Sequence, residues 1–554
     1  MKRNIISIIA LLLCGMLYAQ EETQNAVVNV ENDYNPTVVK VNKKNFTPTV
    51  EAKSNTKPLE QVFSEKASPY TAFSSQREAK EILPKMERPK SGYIRAGYGI
   101  ANEVDAMLGY NVNFNTNSNL GLFASLDGHN CNIPGEFLQW KSRMYNTAAG
   151  IGYTHRFKKM LLNINGGFNN RTFNYQKTQE VFHDSDRQTQ RNYDVHVTGI
   201  SQLAGPWAYS FNAGYTHSMM AYSTAMPEAI AEENINAGMT LSRETFFRYL
   251  RRYGAEVDFN GFLYTQNLKE ASYKYKNILS IDLNPFTDFN FNNWILKAGV
   301  KMNMRVGNSA FFAAAPDVRL NKNLTKRISM YAVLTGGRED NSFKKIEATS
   351  VYWGYDKHED KQVKPTYKIV DFRAGTRMNI APLSFDLYAG YSYTKDDLLH
   401  TATFDDELIY TKPTQGNTQN AHAGFRIGID YGGFIKISGN ARYDYWNCID
   451  PASKSSAPHL LALKPEWSSD VNVELYPIKN LTVNTGYSFA RYTKDDTGKR
   501  LNDKHDLYLR VNYNINKWFG AYIQGENLLN NVHYNYIGYR ALGIRGLIGI
   551  TANF

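Results

Sequence analysis

The 554-residue chain has few cysteines and, beyond its first twenty residues, no long apolar run. Cys14 lies in the leader, so only Cys131 and Cys448 remain, and they would pair only if the fold brought them together. After residue 20 no apolar run approaches the ~18 residues of a membrane-spanning helix. Helical apolar stripes are also scarce, and the mean hydropathy is −0.48. These absences exclude a disulfide scaffold and a bundle of membrane helices.

Catalytic and metal-binding motifs are missing as well. The sequence contains no Walker A, HExxH, GxSxG, paired CxxC or EF-hand spacing. Its histidines have no evident nucleophile partner; those considered were His129, His155, His217 and His400. We therefore predict that the protein is not an enzyme and has no cofactor and no metal site.

Two side-chain clusters contain ligand types that metals prefer. The first offers oxygens suited to Ca²⁺, but its spacing matches no calcium loop, and a solvated loop is the preferred interpretation. It comprises Asp396, Asp397, Asp405, Asp406 and Glu407. The second offers soft ligands suited to copper, and a loop or a partner interface is preferred there. It comprises His217, Met219, Met220 and Met226.

The first nineteen residues have the three parts of a secretory signal peptide. Lys2 and Arg3 form the positive start, "IISIIALLLCGML" forms the apolar core, and Ala19 precedes the predicted cleavage before Gln20. A lipoprotein signal through Cys14 is the alternative, although Leu13 stands where a lipobox has a small residue. We predict a signal peptide over residues 1–19 and a secreted mature chain.

Residues 20–91 differ in composition from the rest of the mature chain. They are rich in Asn, Lys, Thr and Pro and lack aromatic alternation, which predicts an extended or disordered arm, either periplasmic or within a lumen.

From residue 92 onward, apolar and polar residues alternate, as in β-strands. In "VDAMLGYNVNF" the even positions from Val104 to Phe114 are apolar, and Asp105, Asn111 and Asn113 are polar. The same pattern recurs over 207–216, 435–445, 507–515 and 541–554. These runs span about 9–14 residues, longer than ordinary soluble strands and long enough to cross a membrane at a tilt.

Short and long connections alternate along this region. Short turns fall near 158, 205, 321, 381, 431, 476 and 514, and long loops near 129–142, 170–188, 218–231, 342–365, 395–417, 447–457, 493–502 and 529–540. Short turns on one rim and long loops on the other are typical of an outer-membrane barrel. The fold class predicted is therefore all-β: a transmembrane antiparallel up-and-down β-barrel of about 22 strands over 92–554, with 398–414 assigned to an outer loop. In one such loop, Glu136 and Trp140 are expected at its edge, with the tryptophan in the interfacial aromatic belt.

The carboxyl end, "YIQGENLLNNVHYNYIGYRALGIRGLIGITANF", resembles that of TonB-dependent receptors, through "GENLLN" (525–530), a Tyr-rich loop and a final strand ending in Phe554. The turn "ELYPIKNLTVNTGYSF" has the same look, and the Tyr and Asn richness suggests a Bacteroidetes-like source. Gly549, Ala552 and Phe554 resemble the signal that the barrel-assembly machinery reads, although Leu547 stands where that signal usually has a polar residue. The resemblance implies a receptor barrel in the outer membrane.

The resemblance covers the barrel only. Such receptors carry a plug of well over 100 residues, whereas about 70 residues lie between Gln20 and the first strand, and we recognise no plug and no TonB box. Because a 22-strand barrel encloses a wide lumen, something should fill it: the arm, infolded loops or another protein.

Nine charged residues are predicted on the polar, lumen-facing side of the strands. They could dock a lumen filler, or they could be hydrated or paired across strands. These candidates are Lys436, Arg442, Asp444, Glu466, Asp470, Glu474, Arg510, Glu526 and Arg545.

The expected partners follow from location and charge. The net charge is +11, and basic residues at the outer rim suit lipopolysaccharide phosphates, while nucleic acid is not expected for a secreted barrel. The other expected partners are outer-membrane lipid, the barrel-assembly machinery and a protein bound through residues 20–91. Two functions remain open: a receptor-like barrel for solute uptake, and a non-transporting scaffold of an outer-membrane complex.

Overall fold

The computed structural model describes residues 91–134, 139–177, 187–201, 205–221, 230–266, 275–307, 311–354, 362–404 and 408–554. The predicted signal peptide and the predicted arm up to residue 90 lie outside these residues. None of the helices in the described ranges is long and apolar enough to cross a membrane.

The described residues form 25 strands, numbered here in chain order, and one α-helix, α1 (Phe343–Thr349). The strands are β1 (Gly92–Gly99), β2 (Glu103–Asn115), β3 (Ser118–Pro134), β4 (Gln139–Arg156), β5 (Met160–Asn174), β6 (Gln176–Lys177), β7 (Arg187–Ser201), β8 (Trp207–Ala221), β9 (Ile230–Glu244), β10 (Leu250–Gln266), β11 (Ile278–Phe291), β12 (Trp294–Val306), β13 (Phe311–Asn323), β14 (Ile328–Glu339), β15 (Thr366–Ile380), β16 (Leu383–Phe404), β17 (Leu408–Tyr431), β18 (Ile435–Ile449), β19 (Pro465–Ile478), β20 (Leu481–Tyr492), β21 (Lys504–Asn514), β22 (Phe519–Glu526), β23 (Tyr534–Tyr536), β24 (Tyr539–Arg540) and β25 (Arg545–Asn553).

Among the described strands, all except β6, β23 and β24 form one closed antiparallel wall, which makes 22 barrel strands. The ring closes where β1 pairs with β25, from Tyr93 opposite Asn553 to Gly99 opposite Leu547. Gly92 and Phe554 add two backbone hydrogen bonds, of 2.7 and 2.9 Å. The predicted 22-strand barrel is confirmed, and closure leaves the last strand without a free edge.

The alternation of the sequence places apolar side chains on the outside of the wall. On β25, Ile548 and Ile550 are 66% and 67% exposed, as expected of side chains that face hydrocarbon. The opposite face carries polar cross-strand pairs such as Arg95 with Asp105, whose Nη2 and Oδ1 are 2.7 Å apart. Leu547 is an exception on this inner face, and it is buried beside Gly97.

The two ends of the barrel differ in the length of their connections. One end, which we call the turn rim, carries the connections 116–117, 157–159, 292–293, 381–382 and 479–480. The other end, which we call the loop rim, carries the connections 175–186, 340–365, 450–464, 493–503 and 527–544. In outer-membrane barrels the short turns face the periplasm, so the loop rim is the outer end.

The region predicted as an outer loop over 395–417 is mostly strand. β16 continues to Phe404 and β17 begins at Leu408, and the two remain paired up to Phe404 opposite Ile409. The predicted outer loop is therefore a paired hairpin that extends two wall strands, and the two extensions satisfy each other's backbone groups. The strand count is unaffected, since this hairpin belongs to two wall strands.

Cys131 and Cys448 are both free thiols. Cys131 packs at the edge of one apolar cluster, and Cys448 is buried in another, with Leu399, Leu460 and Leu461. The two cysteines that the mature chain would keep are therefore not brought together.

A charge on the outer face tests the orientation of the wall. Leu122, in the middle of β3, points outward between Tyr110 and Ile151, and Ser125 on the same strand points inward. Replacing Leu122 with arginine should destabilise the barrel by about 2–4 kcal/mol, the cost of a cation at the bilayer midplane. Ser125→Arg should cost much less, because its side chain enters the polar interior.

The measurement is urea unfolding of the refolded barrel in lipid vesicles, followed by the gel shift between folded and unfolded forms. Equal destabilisation by the two variants would contradict the assigned faces.

Candidate functional site

Residues 342–354, the first part of the connection 340–365, fold into the barrel. Ser342 caps α1 by accepting a hydrogen bond from the Lys345 backbone N–H at 3.2 Å. The Phe343 N–H donates to Glu232 of β9 at 3.0 Å, and Asn192 of β7 donates to Glu347 at 2.8 Å. Because both partners lie on wall strands, α1 is fixed against the inner wall rather than projecting outward.

The residues after α1 cross the mouth of the barrel. The Val351 carbonyl accepts from Gln190 at 2.9 Å, and the Trp353 carbonyl accepts from Tyr175 at 2.6 Å. Trp353 then bridges in parallel to Thr411, near the tip of the β16–β17 hairpin. The segment is thus hydrogen-bonded to both sides of the mouth.

Buried apolar side chains from these loops meet in one cluster, which we call the cap. It comprises Ile133, Trp140, Phe173, Tyr175, Met220, Ile230, Tyr275, Phe343, Ile346, Val351, Tyr352, Trp353, Leu398, Leu408, Ile409, Tyr410 and Tyr539. At its centre the rings of Tyr352 and Tyr539 stack at 3.7 Å with an interplanar angle of 1°. Trp140 meets both rings edge-on, at 5.8 and 5.3 Å. A fully buried apolar side chain contributes roughly 1.5–3 kcal/mol, so this cluster favours the closed arrangement strongly.

The placement predicted for Trp140 in an interfacial aromatic belt was wrong. The side chain is only 6% exposed and belongs to the cap. The residues next to Trp140 in the sequence do not distinguish a ring at the membrane interface from a ring buried in the cap. The partners that bury Trp140, Tyr352 and Tyr539, are remote in sequence.

A short strand pairing spans the barrel. β6 follows β5, the fifth wall strand, and pairs with β17, which is the sixteenth. Half of the 22-strand circumference separates these two, so the pairing joins opposite walls. Tyr539 reinforces it, because its hydroxyl donates to the Ile409 carbonyl and accepts from the Gln176 N–H. The loop rim is therefore bridged by backbone as well as by side chains.

A cavity of ≈ 1120 Å³ lies beneath α1. Lys344, Glu347 and Ala348 of α1 form its roof, and its lower end reaches Ser91 and Asn553 at the turn rim. The wall between is built from β1 to β5 and from β7. The cavity therefore runs from the cap toward the periplasmic end.

The roof carries charges of both signs. Lys344 Nζ lies 3.2 Å from Asp194 Oδ1 on the wall. Burial raises the pKa of Glu347 to about 7, although the Asn192 hydrogen bond and the nearby Arg171 and Lys344 favour its charged form. The roof can thus change charge near neutral pH.

Several of the nine predicted lumen-lining residues form pairs with their wall neighbours. Lys436 lies opposite Glu474 in the β18–β19 register, and Asp470 lies opposite Asn440. Arg442 binds Asp444 on the same strand, with Nη2 and Oδ1 2.6 Å apart. Arg442 and Asp444 thus form an ion pair, while Lys436, Asp470 and Glu474 face polar neighbours on the adjacent strand.

The remaining four residues also have partners. Glu466 binds Arg500, and the guanidinium of Arg510 lies 4.7 Å from the ring centroid of Tyr522. Arg545 binds Glu526 and also Glu103, the latter at 3.0 Å. Glu526 and Arg545 line a second cavity, of ≈ 200 Å³, near the loop rim. A role for any of the nine in a transport path stays a prediction.

The three residues of the predicted assembly signal lie on the closing strand or next to it. Gly549 leaves room for the ring of Tyr522, because a Cβ there would lie 2.4 Å from that ring. Ala552 lies opposite Phe519, and the Phe554 ring stacks on Tyr110 at 6.1 Å. Their recognition by the assembly machinery stays a prediction.

Neither candidate metal cluster is assembled in the described part of the chain, where no group of three or more His, Cys, Asp or Glu side chains is placed to hold a metal ion. His217 lies opposite Glu233 on one face of β8, whereas Met220 is buried in the cap on the other face. Asp405, Asp406, Glu407 and Met226 lie outside the described residues.

Sequence reasoning assigned 342–365 to an outer loop and missed α1 and its cavity. A local signal existed: Ser342 is a helix-capping residue, and Phe343 and Ile346 have helical spacing. Nothing local indicated that this short helix would turn inward.

No protein-family model and no curated protein matches the chain. Solved structures match it. The FrpB iron transporter from Neisseria meningitidis has a TM-score of 0.65 at 9% identity, over 85% of this chain and 82% of that one. The siderophore receptor PiuA from Acinetobacter baumannii has 0.63 at 11%, over 84% and 82%. The ferric-catecholate import receptor Fiu from E. coli K12 has 0.61 at 10%, over 85% and 82%.

At 9–11% identity these matches show the fold. The neighbours are a transporter and two receptors rather than enzymes. The resemblance carried by "GENLLN" and the final strand is confirmed at that level: the described residues between 92 and 554 have the fold of the barrel of TonB-dependent receptors.

Proposed function

We propose that the protein is an outer-membrane barrel that admits a solute through a lumen gated by the cap. The observation that supports this most is the cavity of ≈ 1120 Å³ directly beneath loops that bridge the outer mouth. A barrel of this circumference would leak without such a closure. Import by structural neighbours, named as an iron transporter and an import receptor, supports uptake as the general role.

In this proposal the loops of this chain close the lumen, as a plug does in other barrels of this width. While the cap is packed, solute outside the barrel does not enter the lumen. Release of α1 from Glu232 and Asn192 would free the connection 340–365 and open the route to the cavity. The solute would then pass along the polar inner wall to the turn rim.

The second candidate is a non-transporting scaffold in an outer-membrane complex. The β6–β17 pairing favours it, because backbone pairing across the mouth is also what a permanently closed barrel needs. One structural neighbour has been seen with a protein, in the FpvAI–pyocin S2 complex. Both candidate functions are compatible with binding of lipopolysaccharide at the outer rim and of a protein through residues 20–91.

Removing the central ring of the cap should loosen it. Tyr539→Ala deletes the stack on Tyr352 and the hydrogen bond to the Ile409 carbonyl, at a cost of about 3–5 kcal/mol to the closed state. Trypsin added outside reconstituted vesicles should then cut after Lys344 or Lys345, which mass spectrometry would detect.

Tyr508→Ala is the matched control, because that ring lies over Gly486 on the inner wall, outside the cap. Cutting in both variants, or in neither, would show that closure does not depend on Tyr539.

Closure should weaken as the pH rises. Burial raises the pKa of Glu347 from 4.5 to about 7, so the closed state binds more protons than the open one between these values. The stabilisation is complete below pH 4.5 and is lost as the pH approaches 7. Deuterium exchange of residues 343–353, corrected for intrinsic rates, should therefore be faster at pH 7.5 than at pH 5.

Glu347→Gln keeps an acceptor for Asn192 but cannot ionise, so it should stay closed at both pH values. The same pH response in this variant would assign the effect to another group.

Conductance separates the two candidate functions. In planar bilayers the intact chain should be closed most of the time, and replacement of residues 343–353 by a Gly-Ser linker should raise the conductance at least roughly tenfold, since the barrel beneath is wide. A variant that stays sealed would remove the support for uptake and favour the scaffold.

A further inference from the structure

An aromatic ring faces the polar cavity. Phe123 lies on the inner face of β3, opposite Gly109 and Gly150. A Cβ at Gly150 would lie 2.2 Å from Phe123 Cε1, so the ring rests directly on the glycine backbone. The side chain is nevertheless 47% exposed and lines the cavity. One side of the ring is thus supported, and the rest is an apolar surface open to a ligand.

Small residues make room beside this ring. A Cβ at Gly109 would meet no atom within 4 Å, which shows open space on that side. Gly152 and Gly167, on the next two strands, also line the cavity. The wall is therefore recessed around Phe123, so that a ring-shaped ligand fits there without displacing side chains.

Amide and guanidinium groups surround the recess. Asn111, Asn165, Asn169 and Arg171 line the same cavity from β2 and β5. Asn111 and Asn165 are exposed, and each amide can donate and accept hydrogen bonds. This set matches a ligand that carries several hydroxyl groups.

The roof adds unmet acceptors. Glu347 Oε1 and Asn192 Oδ1 are buried and have no hydrogen-bond partner among the described residues, and both side chains are 5% exposed. Buried acceptors without a donor are costly, which favours a ligand that donates. The charged groups balance, because Arg171 and Lys344 face Asp194 and Glu347, so nothing here selects a ligand of high net charge.

We propose that this cavity binds a neutral sugar, whose ring stacks on Phe123 and whose hydroxyl groups bond to Asn111, Asn165, Asn169 and Arg171. A sugar ring has an apolar C–H face and a rim of hydroxyl groups. The wall complements both, because Phe123 can stack on the C–H face and the amide and guanidinium groups can bond to the hydroxyl groups. The volume of ≈ 1120 Å³ exceeds the ~300–1,000 Å³ of most small-molecule pockets and admits a short oligosaccharide. The proposal deepens the uptake function above and rests on it.

The test uses the full-length protein in detergent micelles. Six neutral probes are titrated by calorimetry and by saturation-transfer NMR: maltotriose, cellotriose, mannotriose, galactotriose, xylotriose and chitotriose. Spermidine and citrate serve as cationic and anionic comparisons. We expect at least one trisaccharide to bind. Its ring C–H protons should be saturated more strongly than the C–H protons of spermidine or citrate.

Phe123→Ala should weaken that binding about tenfold, whereas Phe123→Trp should retain it because a flat ring is kept. Tyr508→Ala is the matched control, since it removes another inner-wall ring that lies over a glycine but outside this cavity. Folding of every variant is checked by the gel shift between folded and unfolded forms.

The proposal is overturned if no trisaccharide binds, if spermidine or citrate binds better, or if Phe123→Ala binds as the parent does. The outcomes are separable from those for the proposed function. A barrel that conducts when the cap is removed but binds no sugar would refute only the sugar site. A barrel that binds sugar but never conducts would refute uptake.

Discussion

The backbone pairing of the first strand with the last makes every other feature of this barrel possible. Hydrocarbon offers no partner to a backbone N–H or C=O, so a sheet can lie in a membrane only if it has no free edge. Here β1 and β25 meet over seven residue pairs, and the ends Gly92 and Phe554 lock the seam. Once the wall is closed, alternation along each strand separates an apolar outside from a polar inside.

Closure of so wide a ring creates the second problem, which is the lumen. At the loop rim, loops of the same chain close the mouth of this lumen. Aromatic side chains from connections that are hundreds of residues apart pack into the cap, and β6 reaches across to β17. The predicted alternatives for a lumen filler included infolded loops, and the connection 340–365 is one. Among the residues that the structure describes, the region beneath it is a cavity rather than a packed core.

The fold was predictable in outline because its signals are local. A period of two, strand lengths near ten residues and alternating short and long connections indicated the barrel, its 22 strands and its two rims. The details that failed were those set by distant partners. Trp140 was assigned to the aromatic belt, because its partners in the cap cannot be recognised from the local sequence. The outer loop over 395–417 was predicted, but its pairing as a hairpin was not. The nine charged residues were predicted on the polar face, but which of them form ion pairs, such as Glu466 with Arg500 and Arg545 with Glu526, depends on register.

The local alternation of residues was enough to predict a membrane-spanning antiparallel barrel, since the pattern along each strand shows which of its faces is apolar. Tertiary structure alone decided what the barrel encloses. Phe123 becomes a half-exposed platform only because Gly109 and Gly150 lie beside it on neighbouring strands. Glu347 becomes a buried acid only because α1 turns inward against Asn192. The physical reason is that burial and hydrogen bonding at these positions come from residues far away in the chain, which no local pattern encodes.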